Sequence, residues 1–264
     1  MSLSKNKINS LVSGEILPED LDIDELVEFC EIANLEYRKG NPIISDSDYD
    51  FIYLKDLKKR NPNHPILKKV EPEDNAFSEE KVLLPRAMLS IDKAYSFKEI
   101  IKWTEKIQKS AKDLNLKPES LVFLATPKLD GFAGFDDGKK LYTRGDGKKG
   151  SDISRVFNRG LKIFNNSERG QGPGEIVVSK SYFKKNLSKY FEFPRNFQAS
   201  LIKEKELDEY AKSAIKNNGA FFVPFKQLPS WKGCLKDLKN KFEVIVQESL
   251  ASVDFDVDGV VFEV

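Results

Sequence analysis

The local sequence pattern changes near Leu121, and this change constrains the fold more than any other feature of the chain. Beyond it, short runs rich in β-branched and aromatic residues alternate with turns of Gly, Asp and Lys, which is typical of antiparallel strands. The runs are LVFLAT, GFAGF, KLYT, GEIVVS, GAFFVPF and DGVVFEV. Between them, Lys205 to Asn218 has a helical pattern that Gly219 is expected to end. This part of the chain is therefore predicted to be α+β, built on antiparallel sheet.

The part before Leu121 is predicted to be largely helical. One apolar stripe with the spacing of a helix face is formed by Ile23, Leu26, Val27 and Cys30. Gly40 and Pro42 are expected to end that helix. A second helix is predicted from Ser45, with Asp48 as its capping-box partner, to about Arg60.

A charged connector from Lys68 to Lys81 follows, and we interpret it as a domain boundary. After it, Ser96 and Glu99 form a second capping-box pattern ahead of another helical face. We therefore predict a small helical domain over residues 1–69 and a larger α+β domain over residues 70–264.

Composition removes several classes of chemistry. Cys30 and Cys234 are the only cysteines, so neither a disulfide framework nor a CxxC metal site is expected, and a reducing cytoplasm is the natural setting. His64 is the only histidine, which excludes Ser-His-Asp triads and most zinc sites. The sequence contains no run of about 18 apolar residues, so no membrane span is expected. The net charge of +1 argues against strong autonomous DNA binding.

The tetrapeptide Lys128-Leu129-Asp130-Gly131 follows the apolar run LVFLATP. Alone, it is equally typical of an ordinary strand and turn. It belongs, however, to an ordered series of short motifs. In chain order they are DSDYD (46–50), HP (64–65), MLSID (88–92), KLDG (128–131), TRGDG (143–147), GEI (174–176), PRN (194–196) and DGVV (258–261). From about residue 30 to residue 264 this series resembles the NAD-dependent DNA ligases, whose corresponding segments include DxxYD and MLSLDN.

The resemblance implies a fold and a reaction. The fold would be a small helical Ia-like domain that binds nicotinamide mononucleotide (NMN), followed by an antiparallel-sheet nucleotidyltransferase domain of the ATP-grasp-like DNA ligase type. Lys128 would attack the α-phosphorus of NAD, form lysine–AMP and release NMN, so that AMP can pass to the 5′-phosphate of a DNA nick. Because only a neutral lysine is nucleophilic, we expect burial or a nearby positive charge to lower the pKa of Lys128.

The resemblance also assigns binding roles. Residues expected to bind AMP or NAD are Ser90, Thr126, Pro127, Leu129, Asp130, Gly131, Arg144, Glu175, Val261 and Glu263. Arg195 is expected to contact phosphate or DNA, and Glu175 with Asp258 is expected to hold Mg²⁺. On the nicotinamide side, Asp46, Tyr49 and Asp50 share one helical face, and Tyr37 would join them. An alternative is that the acids simply favour a helix N-terminus, which explains Asp46 but neither Tyr49 nor Asp50.

Four positions depart from the family pattern. Glu36 replaces one of two aromatic-type residues, and Ile202 stands near the place of a phosphate-contacting arginine. Thr126 replaces Glu and Glu263 replaces Lys at the adenine edge. We interpret the last two as a re-paired pocket, in which Glu263 accepts from the adenine amine and the Thr126 hydroxyl donates to the ring nitrogen N1.

The chain stops directly after DGVV, whereas the family continues with a lysine-bearing strand, an OB-fold and later domains. We expect either a truncated chain or one subunit of a split ligase whose partner subunit carries that strand and the OB-fold. Nicked double-stranded DNA is the expected substrate, and no membrane partner is expected. Two alternatives stay open at this stage, a scaffold subunit with a weakened site and an ATP-dependent nucleotidyltransferase.

Overall fold

The computed structural model describes residues 3–67, 81–202 and 206–264. Its helices are α1 Lys5–Val12, α2 Ile23–Arg38, α3 Asp46–Asp48, α4 Lys55–Arg60, α5 Phe97–Asp113, α6 Arg155–Asn158, α7 Lys180–Asn186, α8 Pro194–Ile202, α9 Glu209–Lys216 and α10 Leu235–Ala251. Its strands are β1 Lys81–Leu83, β2 Phe123–Leu129, β3 Phe132–Asp136, β4 Leu141–Thr143, β5 Lys149–Ser151, β6 Lys162–Ile163, β7 Gly172–Val178, β8 Ala220–Pro224, β9 Trp231–Gly233 and β10 Val257–Glu263. The predicted α+β class is confirmed. The predicted connector lies outside the described residues, apart from Lys81.

Residues 3–67 form a helical unit with its own apolar core. Helix α2 begins at a complete capping box, because the Asp22 carboxylate accepts from the amide of Glu25 at 2.8 Å and the Glu25 carboxylate accepts from the amide of Asp22 at 3.3 Å. Leu26 and Cys30 are fully buried, which confirms the predicted apolar stripe. Gly40 follows the helix with a φ of +77°, a conformation that favours glycine.

The predicted second helix is interrupted by a π-helical segment, Tyr49–Leu54. The Ser45 hydroxyl accepts from the amide of Asp48 at 3.0 Å, as expected of a helix cap. The Asp48 carboxylate accepts from the Ser45 hydroxyl rather than from its amide, so only half of the predicted capping box forms. Single π turns occur often at functional sites, and this one carries two residues of the DSDYD motif.

Three sheets organise the described part of residues 81–264. The largest has the strand order β4-β3-β7-β8-β6, in which β6 and β8 are parallel and the other neighbours antiparallel. Helices α7, α8 and α9 pack on it. A three-stranded antiparallel sheet, β10-β2-β9, is covered on one face by α5 and α10. Strands β1 and β5 form a small antiparallel two-stranded sheet.

Two predicted boundaries are corrected. Helix α9 begins only after Asp208, because that carboxylate caps the amide of Ala211 at 2.7 Å, and Asn218, not Gly219, takes the left-handed conformation after it. The predicted start at Lys205 lies outside the described residues. At α5, Ser96 caps as predicted, but the Glu99 carboxylate accepts from the amide of Tyr95 instead of completing the box. No helix within the described ranges is long and apolar enough to cross a membrane.

Candidate active site

Strand β2 ends at the predicted nucleophile, and strand β10 lies antiparallel beside it. Gly259 stands opposite Lys128 and Val257 opposite Leu129, so Asp258 is an extra residue in a β-bulge. A bulge re-aims a side chain that strict alternation would direct to the other face. The Asp258 carboxylate accordingly accepts a hydrogen bond from Lys128 Nζ and forms an ion pair with it.

The two groups shift each other's proton affinity. Burial raises the pKa of Asp258 to about 7, against the opposing effect of the Lys128 charge. Burial also tends to lower the pKa of Lys128, but the charge and hydrogen bond of Asp258 outweigh it, and the net pKa is raised. The expectation that burial would lower the pKa of Lys128 is therefore wrong for this arrangement. Lys128 is held as an ammonium beside a carboxyl group whose pKa lies well above its ordinary value.

Alternation along β2 and β10 sorts the predicted AMP-binding residues into two faces. Thr126 stands opposite Val261 on the face that carries Lys128, and Glu263 is the diagonal neighbour two residues further on that face. Pro127 and Leu129 point the other way and are buried. The structure thus brings Thr126 and Glu263 to one surface and leaves only the backbone of the other two residues available to a ligand.

Asp130 begins the turn after β2 and is held from three sides. Its backbone amide donates to the carbonyl of Asp256 at 2.9 Å. Its carboxylate accepts from the Tyr37 hydroxyl at 2.7 Å and from Arg195 at 3.4 Å. Tyr37 lies on α2 of the helical unit, so that unit packs directly against the KLDG turn.

Arg195 does not present an open phosphate contact. Its side chain is only 3% exposed, and its guanidinium lies 3.8 Å from the ring centre of Tyr37 and 4.3 Å from that of Phe132. It donates to the carbonyls of Gly131 and, at 3.1 Å, of Tyr37. Stacking and backbone hydrogen bonds hold the guanidinium inside the protein, and the phosphate or DNA contact of Arg195 stays a prediction.

Gly131 and Glu175 meet where β3 and β7 pair. A Cβ on Gly131 would lie 2.6 Å from the Val177 side chain and 2.8 Å from that of Glu175, so only glycine fits. Glu175 stands opposite Ala133 and is 7% exposed. The glycine of KLDG therefore allows the buried carboxylate to approach the turn closely.

The TRGDG loop and the MLSID segment lie together. Arg144 donates to the Ser90 hydroxyl at 2.6 Å and to the carbonyl of Met88 at 3.1 Å. The amide of Met88 in turn donates to the carbonyl of Gly147 at 2.8 Å. Ser90 is exposed, so this contact places both side chains at the rim of the site.

Two acids of the DSDYD motif, Asp46 and Asp50, lie close enough to Lys128 to interact with its charge. Asp46 approaches Asp258 closely enough that its charge and hydrogen bond raise the pKa of the Asp258 carboxyl, although burial contributes more. Asp50 accepts from Lys93 Nζ with both oxygens at 2.6 Å. The half-buried ring of Tyr49 packs on the core of the helical unit.

Two of the departures from the family pattern have local structural partners. Glu36 forms an ion pair with Lys39 at 2.7 Å. Ile202 is fully buried at the end of α8, where its carbonyl accepts from Arg155 at 2.6 Å. Both positions therefore serve local packing in this chain.

Lys93 was not predicted as a partner of Asp50. Lys93 stands where the family segment MLSLDN has asparagine, so the sixth position of that motif was the available signal. The Tyr37–Arg195–Phe132 stack was not predicted either, because it joins residues far apart in the chain. Among the described residues, no group of three or more His, Cys, Asp or Glu side chains is arranged to hold a metal ion.

Comparison with known proteins places the chain in a family. Residues 75–240 match the NAD-dependent DNA ligase adenylation domain. The chain is 61% identical over 262 residues to a DNA ligase of Vesicomyosocius okutanii, covering 99% of this chain and 42% of that protein. It is 62% identical over 245 residues to a DNA ligase of Ruthia magnifica (93% and 40%) and 47% identical over 261 residues to one of Desulfotalea psychrophila (99% and 38%). It thus spans about 40% of the length of these curated relatives. With Lys128 at the strand end and the matched region covering most of the chain, the protein belongs to the NAD-dependent DNA ligase adenylation domain family.

Proposed function

We propose that this chain carries out the adenylation step of an NAD-dependent DNA ligase. Lys128 Nζ attacks the α-phosphorus of NAD, a P–N bond forms, and the P–O bond to the phosphate of NMN breaks. NMN leaves with that oxygen, and AMP stays on the lysine for transfer to the 5′-phosphate of a nick in double-stranded DNA. The observation that carries the proposal is the Lys128–Asp258 pair at the end of β2.

Asp258 is the group that we assign to the proton of the nucleophile. An ammonium cannot attack phosphorus, so Lys128 must lose a proton first. The Asp258 carboxylate already accepts a hydrogen bond from Nζ, and its raised pKa suits it to take that proton near neutral pH. Its transient neutralisation also removes the charge that holds Lys128 as an ammonium.

The AMP pocket would be formed by the face of β2 and β10 that carries Lys128. Glu263 and Thr126 suit the adenine edge, as an acceptor and a donor on one surface. Asp130 suits the ribose hydroxyls, which would replace the Tyr37 hydroxyl that it now binds. Arg144 at the rim and the buried Glu175 complete the set, and Gly131 allows the close approach of the Glu175 side chain.

The helical unit would bind the nicotinamide half. We assign the nicotinamide ribose to Asp46 and Asp50, because both acids lie near Lys128, and we keep Tyr37 and Tyr49 as candidates for ring contact. Residues 1–69 would then be the NMN-binding domain and residues 70–264 the nucleotidyltransferase domain. That division supports NAD, rather than ATP, as the AMP donor.

Mg²⁺ fits two carboxylates of this site. Asp258 Oδ1 is buried and has no hydrogen-bond partner among the described atoms, and Glu175 lies nearby as a second carboxylate whose charge acts on Lys128. Magnesium commonly uses one or two carboxylates and takes its other ligands from phosphate oxygens and water. When bound, it would supply positive charge at the phosphates.

One experiment tests the proposal. The purified chain is incubated with NAD and, separately, with ATP, and is weighed by mass spectrometry for one covalent AMP. We expect an adduct with NAD that Lys128→Ala abolishes and Lys139→Ala, at an exposed turn, preserves. An adduct with ATP alone would overturn the choice of NAD. No adduct with either would favour a scaffold role in which a second ligase subunit completes the site, consistent with the buried Ile202 and the paired Glu36.

A further inference from the structure

Lys93 makes a contact with the helical unit that the proposed reaction has not used. Its ammonium donates to both oxygens of Asp50 at 2.6 Å. The Asp50 side chain is 14% exposed, whereas that of Lys93 is 48% exposed. A largely exposed lysine therefore binds a carboxylate that is mostly shielded from water.

The segment that carries Lys93 is fixed at both ends. We call residues 84–95 the rim segment; it has no regular secondary structure. At one end the amide of Leu84 donates to the carbonyl of Lys148 at 2.9 Å, and at the other the amide of Tyr95 donates to the Glu99 carboxylate at 2.6 Å. Between them, Arg144 holds Met88 and Ser90. An extended segment that is anchored at both ends presents its side chains at fixed positions, and this favours preorganised contacts.

Further contacts join the rim segment and α5 to the helical unit beside the ion pair. The rings of Phe51 and Tyr95 meet edge to face with centres 5.9 Å apart. Lys58 lies 4.9 Å from the centre of the Tyr95 ring and forms an ion pair with Glu99 at 3.2 Å. The Lys93–Asp50 pair is the innermost of these contacts, because its carboxylate also feels the charge of Lys128.

The geometry leaves Asp50 able to bind a sugar while it is held. A carboxylate offers about four acceptor positions, and Lys93 occupies one on each oxygen. We propose that Lys93 is a positioning residue for the adenylation step, which holds Asp50 toward the nicotinamide ribose and keeps the helical unit closed over Lys128. The inference rests on the proposed function, because Asp50 has been assigned to that ribose.

The pKa of Asp50 supports this arrangement. Burial raises it, and the Asp46 charge acts in the same direction, while Lys93 opposes both. Without Lys93, the carboxylate would lose its strongest counter-charge and hydrogen-bond donor. A direct contact between Lys93 and a phosphate of the dinucleotide is the alternative that the experiment must separate.

The experiment is a double-mutant cycle on Lys93→Met and Asp50→Asn, with Lys106→Met on the exposed face of α5 as the matched control. Two quantities are measured, the KM for NAD in self-adenylation and the Kd for NMN by calorimetry. We expect Lys93→Met to raise both about tenfold and to change the maximal rate by less than about twofold. We expect no further increase when it is added to Asp50→Asn, and recovery in Lys93→Arg, whose guanidinium also binds a carboxylate through two donors.

Each other outcome overturns the inference. If Lys93→Met weakens binding equally with and without Asp50, the lysine acts on the dinucleotide itself. If it changes neither constant, or lowers the melting temperature without changing them, it has only a structural role. If the wild-type chain forms no AMP adduct, the proposed function fails, but the NMN titration still decides the role of Lys93.

Discussion

Arg195→Met tests the contact that joins the helical unit to the KLDG turn. Methionine fills a similar volume, so the main losses are electrostatic rather than a cavity. The buried carbonyl of Gly131 would lose its donor, at a cost of about 1–3 kcal/mol. Loss of the cation stacked between Tyr37 and Phe132 adds up to about 2 kcal/mol in a desolvated site. Together these losses predict a destabilisation of about 1–5 kcal/mol.

Thermal and urea unfolding monitored by circular dichroism measure this loss. At about 2–4 °C per kcal/mol for a chain of this size, the midpoint should fall by about 2–20 °C. Arg86→Met, at an exposed position, is the control and should stay within about 0.5 kcal/mol of wild type. Tyr37→Phe keeps the ring and removes only the hydroxyl on Asp130, so it should cost about 1–2 kcal/mol. A loss below about 1 kcal/mol for Arg195→Met would refute the reasoning.

Three other changes test separate parts of the site. Gly40→Ala should destabilise the chain in urea unfolding by about 2 kcal/mol more than Gly14→Ala. Both glycines have nearly the same positive φ, but only the Cβ added at Gly40 would clash with α8. Equal losses would contradict this packing. The single-turnover rate of AMP attachment should rise from roughly pH 6 to pH 8, because Asp258 accepts a proton only when it is ionised, above its pKa of about 7. Asp258→Asn should remove that rise. A flat wild-type profile would exclude Asp258 as the proton acceptor. Glu263→Lys should slow self-adenylation by about tenfold in the same assay, since a lysine side chain cannot accept a hydrogen bond from the adenine amine. Faster adenylation would disprove the re-pairing with Thr126.

Local patterns predicted most of the secondary structure. All six β-rich runs contain strands, and the stripe through Leu26 and Cys30 forms the buried face of α2. Short strands such as β6 and β9 were missed, because two or three residues carry no measurable alternation. The boundary at Asp208 was missed because the helical pattern continues upstream of the residue that caps the helix.

The candidate site was predicted as a set of residues but not as an arrangement. Motif order identified Lys128, Asp130 and Glu175, yet it gave no distances between them. The burial of Arg195 could not be read from the sequence, because its stacking partners lie on α2 and β3, far away in the chain. Lys93 was overlooked for a similar reason, since its partner lies 43 residues earlier.

The bulge at Asp258 shows why arrangement matters more than identity here. The Asp258-Gly259 pair, taken alone, is equally typical of a turn, and strict alternation along β10 would direct this carboxylate away from Lys128. One extra residue in the strand reverses that direction and brings a buried carboxylate onto the nucleophile. Burial raises the pKa of that carboxyl, and the pair holds the lysine charged, so in the proposed reaction the same contact offers the route by which the proton of Lys128 leaves. The backbone register of one strand pair therefore places the carboxylate that we propose as the proton acceptor of Lys128.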